Sequence, residues 1–352
     1  MKTKILEKFK ALYGDGAVCY ASPGRVNLIG EHTDYNMGFV MPGAIDKAIY
    51  VAVKPNGGKV SHVYSIDYDE AVELDMTGDK PAQQWASYVY GVVKEMEKRG
   101  AKVPAFDMTF GGDVPLGAGL SSSAALESAV GFALNDTFNL GFSREELAKI
   151  GQMTEHNYIG VRCGIMDQFA VGMGKKGHAI ALDCSTLDYD LIPLNLNGYK
   201  LVITNSNKNH DLVTSEYNVR RSQCEQALAD INQELDVKHL CDLSEEELER
   251  VRHLISDETV YRRVRHAVTE NERVNEAIDV LQKGDLVRFG ELMNASHRSL
   301  KKDYEVTGVE MDTLAEEGQK LPGVLGSRIT GGGFGGCTVS LVNEDNVQEF
   351  IE

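Results

Sequence analysis

The stretch from Phe106 to Asn135, FDMTFGGDVPLGAGLSSSAALESAVGFALN, constrains this chain more than any other. Phe106, Met108 and Phe110 alternate with polar neighbours as on a half-buried strand, and Ala124 to Leu134 places apolar residues at helical spacing. Between strand and helix lies a hinge of small residues. Its glycines let a ligand approach the main chain, and the amides at the coming helix start point N–H donors outward. That is how a phosphate cradle is built, and the helix dipole adds roughly half a positive charge at the same place. An acidic chain can therefore hold a triphosphate without many basic side chains.

Two familiar phosphate loops do not fit. A Walker loop needs Lys and then Ser or Thr after its last glycine, whereas Leu120 and Ser121 follow Gly119. Gly117-Ala-Gly119-Leu-Ser-Ser122 matches GxGxxG only if Ser122 is excused, and the turn from the strand is too long for a dinucleotide fingerprint. A bland reading stays open, in which small residues merely pack a helix against a sheet. The run Ser121 to Ser123 weighs against it, because a hydroxyl at a helix start caps free amides and can also ligate Mg2+.

At 352 residues the chain is long enough for two domains, each with its own core. Its 42% hydrophobic and 25% charged residues are those of a soluble globular protein. The net charge of −17 argues against a general nucleic-acid or anionic-membrane surface, since both need basic patches. The N-terminal MKTKILEKFKALYG reads as a short amphipathic helix without the apolar core of a signal peptide, and no stretch is apolar enough to span a bilayer. Cys19, Cys163, Cys184, Cys224, Cys241 and Cys337 form no CxxC pair, so they read as reduced core thiols of a cytoplasmic enzyme.

Residues 18–55 carry polar groups where a strand would want apolar ones. Val26, Leu28 and Ile29 suggest a short strand broken at Gly30, and Ile49 to Val53 forms the next. Arg25, Glu31, His32 and Asp34 fall within ten positions. Turn chemistry alone can explain such a loop, but these groups can also bond a polyhydroxylated ligand, carboxylates accepting from hydroxyls and Arg contacting oxygens. His32 taken singly reads as structural or exposed, and without HExxH spacing no zinc site is implied.

In CGIMDQFAVGMG, residues 163–174, Asp167 stands among Ile165, Met166 and Phe169, where an ionised carboxyl is costly without a partner. It either caps the helix after Gly164 or faces the phosphate loop and accepts the proton of an attacking hydroxyl. Elsewhere Gly57-Gly58 signals a hairpin, Trp85 to Arg99 is a helix stopped by Gly100, and Ser143/Glu146 and Ser244/Glu247 form capping boxes, the first opening the helix that carries Glu155. Strands follow at HAIALD, YDLIPL and Lys200 to Thr204, then a long helical half in which Arg220 and Arg221 read as helix-surface or interdomain ion pairs. SRITGGGFGGCTVSLV, residues 327–342, reads as two strands joined by a loop with more glycines than a turn requires, at a cost in chain entropy.

PLGAGLSSSAAL, GIMDQF and the glycine-rich stretch at 327–342 resemble, in the right order, motifs of the GHMP small-molecule kinases. GRVNLIGEHTDYNMGFVMP, residues 24–42, resembles the signature of the galactokinase family within them. The resemblance implies a two-domain α+β GHMP kinase fold: an N-terminal domain over residues 1–180 like domain 2 of ribosomal protein S5, a C-terminal α+β domain over 181–352, and an active site in the cleft between them. It implies transfer of the γ-phosphate of ATP to the C1 hydroxyl of α-D-galactose. Gly117, Ala118, Gly119, Leu120, Ser121, Ser122 and Ser123 would hold ATP, and Ser123 and Glu155 would hold Mg2+. Asp167 would be the catalytic base, with Arg25 near the transferred phosphate. Glu31 and His32 would take outer hydroxyls such as that on C6, Asp34 those on C3 and C4, Gly164 would contact the sugar through its backbone, and Tyr217, in the stretch 204–228, would reach it from another side. The third motif would approach the second and help close the site.

By the same resemblance, Thr33 to Asn36 would favour galactose over N-acetylgalactosamine, and the uninterrupted Ser121 to Ala125 would favour an enzyme over a non-catalytic galactose sensor. The implied partners are galactose and ATP on a monomer or weak homo-oligomer, with no nucleic acid and no membrane. Family members usually continue some tens of residues past the position of Glu352 and add a further strand, which bears on the stability of the second sheet.

Overall fold

Local pattern and long-range packing meet in the first sheet. The computed structural model describes residues 1–208 and 213–352, without the side chains of 213–215. The chain runs α1 (Lys2–Tyr13), β1 (Val18–Asn27), β2 (Phe39–Val40), β3 (Pro42–Pro55), β4 (Ser61–Ser65), β5 (Glu70–Leu74), α2 (Gln84–Lys98), β6 (Phe106–Gly112), α3 (Ser122–Thr137), α4 (Arg144–Thr154), a π turn (Glu155–Ile159) and α5 (Met166–Met173). It continues through β7 (His178–Asp183), β8 (Tyr189–Pro193), β9 (Tyr199–Asn205), α6 (Val213–Ile231), α7 (Glu245–Val251), α8 (Glu258–Lys283), α9 (Leu286–Ser299), a second π turn (Leu300–Tyr304), α10 (Val309–Gly318), β10 (Val324–Thr330), β11 (Cys337–Asn343) and α11 (Val347–Ile351). Two compact units result. Residues 1–25, 44–116 and 121–173 form the first, and 26–43, 117–120 and 174–352 the second. The main junction follows Met173 rather than residue 180, and the signature segment 26–43 groups with the C-terminal half.

The first unit is an α+β unit around a five-stranded sheet in the order β1-β3-β6-β4-β5. β6 pairs antiparallel with β3 and parallel with β4, with Phe110 opposite Val51 and Ser65. Its alternation suggests one wet face, yet Phe106 to Gly111 are all buried. The reason is α1, whose Ile5 and Phe9 pack beside Ala52 and whose Ile5 carbonyl accepts from Thr109 Oγ1 at 3.2 Å. Asp107 meets its need for partners on that face through His62 and Asn56, at 2.7 and 3.0 Å.

Gly57-Gly58 does not make a hairpin. β6 lies between β3 and β4 in the sheet, and Asn56 folds the connection by accepting from Gly58 N–H and donating to the Val60 carbonyl. The hairpin is β4–β5 instead, closing at Ser65 and Glu70. β1 also begins earlier than its apolar residues suggest and ends before Leu28. The Ser143 capping box forms with both reciprocal bonds, 3.2 and 2.7 Å. Gly91 of α2 makes room for the end of α4: a Cβ there would stand 2.6 Å from Thr154 Cγ2.

The second unit holds two three-stranded antiparallel sheets, β10-β11-β9 and β2-β7-β8. Helix α9 lies directly on β10 because Gly290 faces Gly326, where a Cβ would be 2.5 Å from the Gly290 carbonyl. The helical half packs a core that includes Cys224, Leu240, Cys241, Val264, Val268, Leu300 and Tyr304. The Ser244 capping box forms as read. All six cysteines are free thiols; four are buried, while Cys19 and Cys163 are only half-buried. No helix among the described residues is long and apolar enough to cross a membrane.

Candidate active site

Asp167 lies in the first turn of α5, where a helix start placed among apolar residues gives it only a few neighbours. Its Oδ1 accepts from Arg25 Nε at 2.8 Å, and its Oδ2 accepts from Arg25 Nη2 at 2.8 Å and from Ser121 Oγ at 2.6 Å. The Arg25 side chain is 4% exposed and that of Asp167 31%. This is a bidentate, charge-assisted pair whose open side is the carboxylate. The carboxylate is engaged by Arg25 and Ser121.

Ser121 departs from the reading of the serines as helix caps. It precedes α3 in the left-handed region, φ 59°, and its hydroxyl makes no capping bond. That backbone costs roughly 1–3 kcal/mol for a residue with a Cβ, and it directs the hydroxyl to Asp167. Before it, Gly117 and Gly119 have φ of 66° and 69°, and Ala118 and Leu120 are buried anchors. A Cβ on Gly117 would meet nothing within 4 Å, so the main chain there is open to a ligand. Ser122 opens α3, and Gly164 is buried just before α5.

Ser123 hydrogen-bonds Glu155, the first residue of the π turn. Burial pushes the Glu155 carboxyl up to about 7, against the pull of that hydrogen bond and with the Asp167 charge adding to the rise. Glu127, one helical turn beyond Ser123, is raised well above the usual carboxylate range by burial first and by Glu155 next. Oxygen donors with a surplus of negative charge suit Mg2+, which takes one or two carboxylates and keeps several waters.

In the second unit Glu31 is 1% exposed. Its Oε2 pairs with Arg328 Nη2, and its Oε1 accepts from Gly331 N–H at 3.0 Å. Arg328 is fully buried and lies 3.9 Å from Glu270, which also pairs with Arg273 at 2.7 Å and accepts from Gly30 N–H. Burial pushes Glu31 upward and Arg328 only partly offsets it. Burial acts likewise on Glu270, yet Arg273, His266 and Arg328 outweigh it and bring its carboxyl down to about 2.

His32 is not exposed. It sits at φ 64°, 3% accessible, with the rings of Tyr304 and Tyr217 4.6 and 5.3 Å away. Its Nε2 is 3.1 Å from the Gly332 carbonyl, which can only accept, so Nε2 carries the proton. Nδ1 then accepts from Tyr35 O–H at 2.9 Å, and Tyr35 in turn accepts from Tyr304 O–H at 2.6 Å. Burial and His266 hold the imidazole neutral, with its pKa lowered to about 3. Both ring nitrogens are thus engaged, so a sugar hydroxyl bonded to His32 would take the place of one of these partners. Asp34 is buried and accepts from Tyr35 N–H at 2.9 Å. Tyr217, on α6, packs on His32 and Tyr35 and against Gly332. Residues 209–212 of the stretch that carries it lie outside the described residues.

The glycines of the 331–336 loop are explained by close approach within this unit. Gly333, φ 79°, would place a Cβ 2.2 Å from the Val306 carbonyl, and Gly335 one 2.7 Å from the Lys208 carbonyl. Arg220 is a further departure: it is buried and donates to the carbonyls of Tyr304 and Glu305, whereas Arg221 makes the surface ion pair read for it, with Glu225 at 3.0 Å. Among the described residues His297, Asp312 and Glu316 could also gather around a metal ion. Lys301 already supplies the positive charge there, 3.4 Å from Asp312 and 2.5 Å from Glu316, so the cluster ties α9 to α10.

Three family models match the chain: GHMP kinases N terminal domain over residues 87–175, galactokinase galactose-binding signature over 7–55, and GHMP kinases C terminal over 277–352. A galactokinase of Lactiplantibacillus plantarum is 49% identical over 95% of this chain and 87% of its own length. One from Fusobacterium nucleatum is 46% identical over 100% and 92%. The chain belongs to the galactokinase family. Its fold matches the crystal structure of Lactococcus lactis galactokinase complexed with galactose, with a TM-score of 0.95 and 45% identity over 98% of this chain and 91% of that one. The mevalonate kinase of Methanococcus jannaschii, 19% identical with a TM-score of 0.66 over 96% and 94%, shares the fold alone.

For this galactokinase-family chain, the sequence reading does not single out the buried groups that hold Glu31 in place. Glu270 and His266, whose Nε2 lies 3.0 Å from the Glu31 carbonyl, belong to no motif of short spacing, and Arg328 stands in the 327–342 stretch beside its glycine loop. One signal was available for Arg328: a lone charge in an apolar strand next to a glycine loop.

Proposed function

We infer that this protein is an ATP-dependent kinase that phosphorylates the C1 hydroxyl of α-D-galactose, giving galactose 1-phosphate and ADP. The observation that carries the reading is the full-length match, at 45% identity, to a galactokinase whose structure holds galactose. The Arg25–Asp167–Ser121 arrangement and the Ser123–Glu155 pair support it.

Phosphoryl transfer passes through a loose transition state, so positioning and charge neutralisation dominate. Asp167 Oδ2 takes the proton of the C1 hydroxyl as the oxygen–phosphorus bond forms, and the Ser121 hydroxyl yields its place to the substrate. Arg25 holds the Asp167 carboxylate in place through two hydrogen bonds and offers positive charge to the transferred phosphoryl. Gly117, Ala118, Gly119, Leu120, Ser121, Ser122 and Ser123 receive the ATP phosphates. Ser123 and Glu155 would hold Mg2+, which would supply charge neutralisation on those phosphates. Asp34 and Tyr217 bond sugar hydroxyls directly, Gly164 offers backbone contact, and Glu31 and His32 take outer hydroxyls by sharing or exchanging their present partners. The enzyme works in the cytoplasm as a monomer or weak homo-oligomer, in keeping with its free thiols.

The test is ADP release with ATP and Mg2+, comparing galactose, glucose, N-acetylgalactosamine and no sugar. The expected result is turnover strongly selective for galactose. ADP release no faster with galactose than without sugar would overturn the reading.

A further inference from the structure

Glu127 and Gln168 pose a hydrogen-bond problem that the chemistry above does not use. Glu127 lies on α3, four residues and about one turn from Ser123, and Gln168 follows Asp167 on α5. The two are 2% and 3% exposed. Gln168 Nε2 donates to Glu127 Oε2 at 3.1 Å. The remaining acceptors, Glu127 Oε1 and Gln168 Oε1, have no hydrogen-bond partner among the described residues. Buried polar atoms are seldom left unpaired, and two orphan acceptors belonging to one contacting pair share one remedy.

A single proton satisfies both. If Glu127 is a neutral acid, its Oε1–H can donate to Gln168 Oε1, while Gln168 Nε2–H donates to Glu127 Oε2. Acid and amide then face each other in a closed, two-bond ring, while Gln168 Nε2 also donates to Cys163 Sγ at 4.0 Å.

We propose that Glu127 is held as a neutral carboxylic acid paired with the Gln168 carboxamide, and that this pair is a positioning element fixing Asp167 of α5 against the Ser121–Ser123 end of α3.

The surroundings agree with it. α4 leaves room for the pair only because residue 151 is glycine, where a Cβ would stand 2.9 Å from Gln168 Cγ and 3.0 Å from Glu127 Oε2. The carboxyls acting on Glu127 are Glu155 at the π turn and Asp167 on α5, and Tyr88 of α2 is the further titratable neighbour. An ionised Glu127 would repel charge on either carboxyl; a neutral one does not. Burial and those two carboxylates act in the same direction on its proton. The consequence for catalysis rests on the function proposed above; the protonation state does not.

The experiment uses the full chain and the variants Glu127→Gln, Glu127→Ala and Gln168→Leu. Infrared difference spectroscopy of wild type against E127Q at pH 7 reads the acid directly and needs no substrate. A protonated-carboxyl carbonyl band present in wild type and absent in E127Q is expected; a carboxylate band in its place would overturn the proposal. In the ADP-release assay E127Q, whose amide can form the same two-bond ring, is expected within about threefold of wild-type kcat. E127A and Q168L are expected to lose on the order of 10²-fold in kcat, with KM for galactose changed less than threefold, as displacement of a reacting group does. A loss in E127Q as large as in E127A would show that the charge itself is needed and would also overturn the proposal. Should no variant turn over galactose, wild type included, the infrared result still decides the protonation state and the failure belongs to the functional reading.

Discussion

Asp167 accepts from Arg25 and Ser121 in the absence of substrate, and this decides what its substitution should do. Asp167→Asn keeps the shape but removes the charge from a nearly buried guanidinium and the acceptor of the substrate proton. Turnover should fall by about 10²- to 10⁴-fold, the usual contribution of a general base. The loss of one ion-pair partner should also lower the thermal midpoint, since an uncompensated buried charge costs about 3–5 kcal/mol where fully desolvated and less at this half-open site. Steady-state ADP release and a melting curve on the same preparation check both, and near-wild-type turnover would remove Asp167 from the chemistry. The sequence makes plain that this aspartate needs a partner. It does not name Arg25, 142 residues away, because nothing local sets that pairing.

At the scale of elements, the Glu155 carboxyl depends on where α4 stops being an α-helix. The chain widens into an underwound π turn closed by Gly160 N–H on the Glu155 carbonyl at 2.8 Å, a local irregularity that often marks functional positions. Gly91 of α2 permits it, since a Cβ would press on Thr154 at 2.6 Å and on Tyr158 at 2.9 Å. Gly91→Ala should cost about 1–3 kcal/mol as overpacking and should raise the Mg2+ concentration needed for half-maximal turnover. A Mg2+ titration alongside urea unfolding tests it, and a variant as stable as wild type would refute the packing argument. The capping boxes and helix lengths around this turn are legible because capping depends on residues within one turn. The π turn is not, because its cause lies on another helix. The misread Gly57-Gly58 has the same origin: hairpin chemistry was present, but β6 took the place between the two strands.

For the whole molecule the balance of buried titratable groups predicts the shape of the acid limb. His32, His266 and His297 have pKa values lowered to about 3, 4 and 4, by burial first in each case. The unfolded chain takes up those protons near 6.5, so their contribution is present above 6.5 and is lost as pH falls toward 4. Glu31, Glu127 and Glu155 are raised, so between about 4.5 and their raised values the folded state holds the extra protons and stability moves the other way. The raised carboxyls oppose the histidines in that window. Below about 4.5 the raised carboxyls are protonated in both states and drop out. Glu270, lowered to about 2, then joins the histidines, its stabilisation being lost as pH falls from 4.5 toward 2. Each proton is worth about 1.4 kcal/mol per pH unit, so four together set an upper bound of about 5.6 kcal/mol per unit against a typical total of about 5–15. Urea midpoints for the ligand-free protein should therefore be nearly level from pH 6.5 to 4.5 and fall steeply below. A steady decline beginning at pH 6.5 would show that the raised carboxyls are assigned wrongly.

What the sequence by itself determined is local: strand and helix periodicity, Ser143 and Ser244 as caps, the positive-φ glycines of the 117–119 loop, and the motifs that place the chain among the galactokinases. Each rests on residues within a few positions of one another, where backbone sterics and short-range hydrogen bonds decide. The tertiary structure decided which groups are paired and which are charged. Arg25 meets Asp167, Arg328 meets Glu31 from 297 residues away, and His32 is locked in one tautomer by Gly332 and Tyr35. A side chain's charge state is set by how much water it loses and which opposite charge replaces that water, and both depend on segments that meet only when the chain has folded.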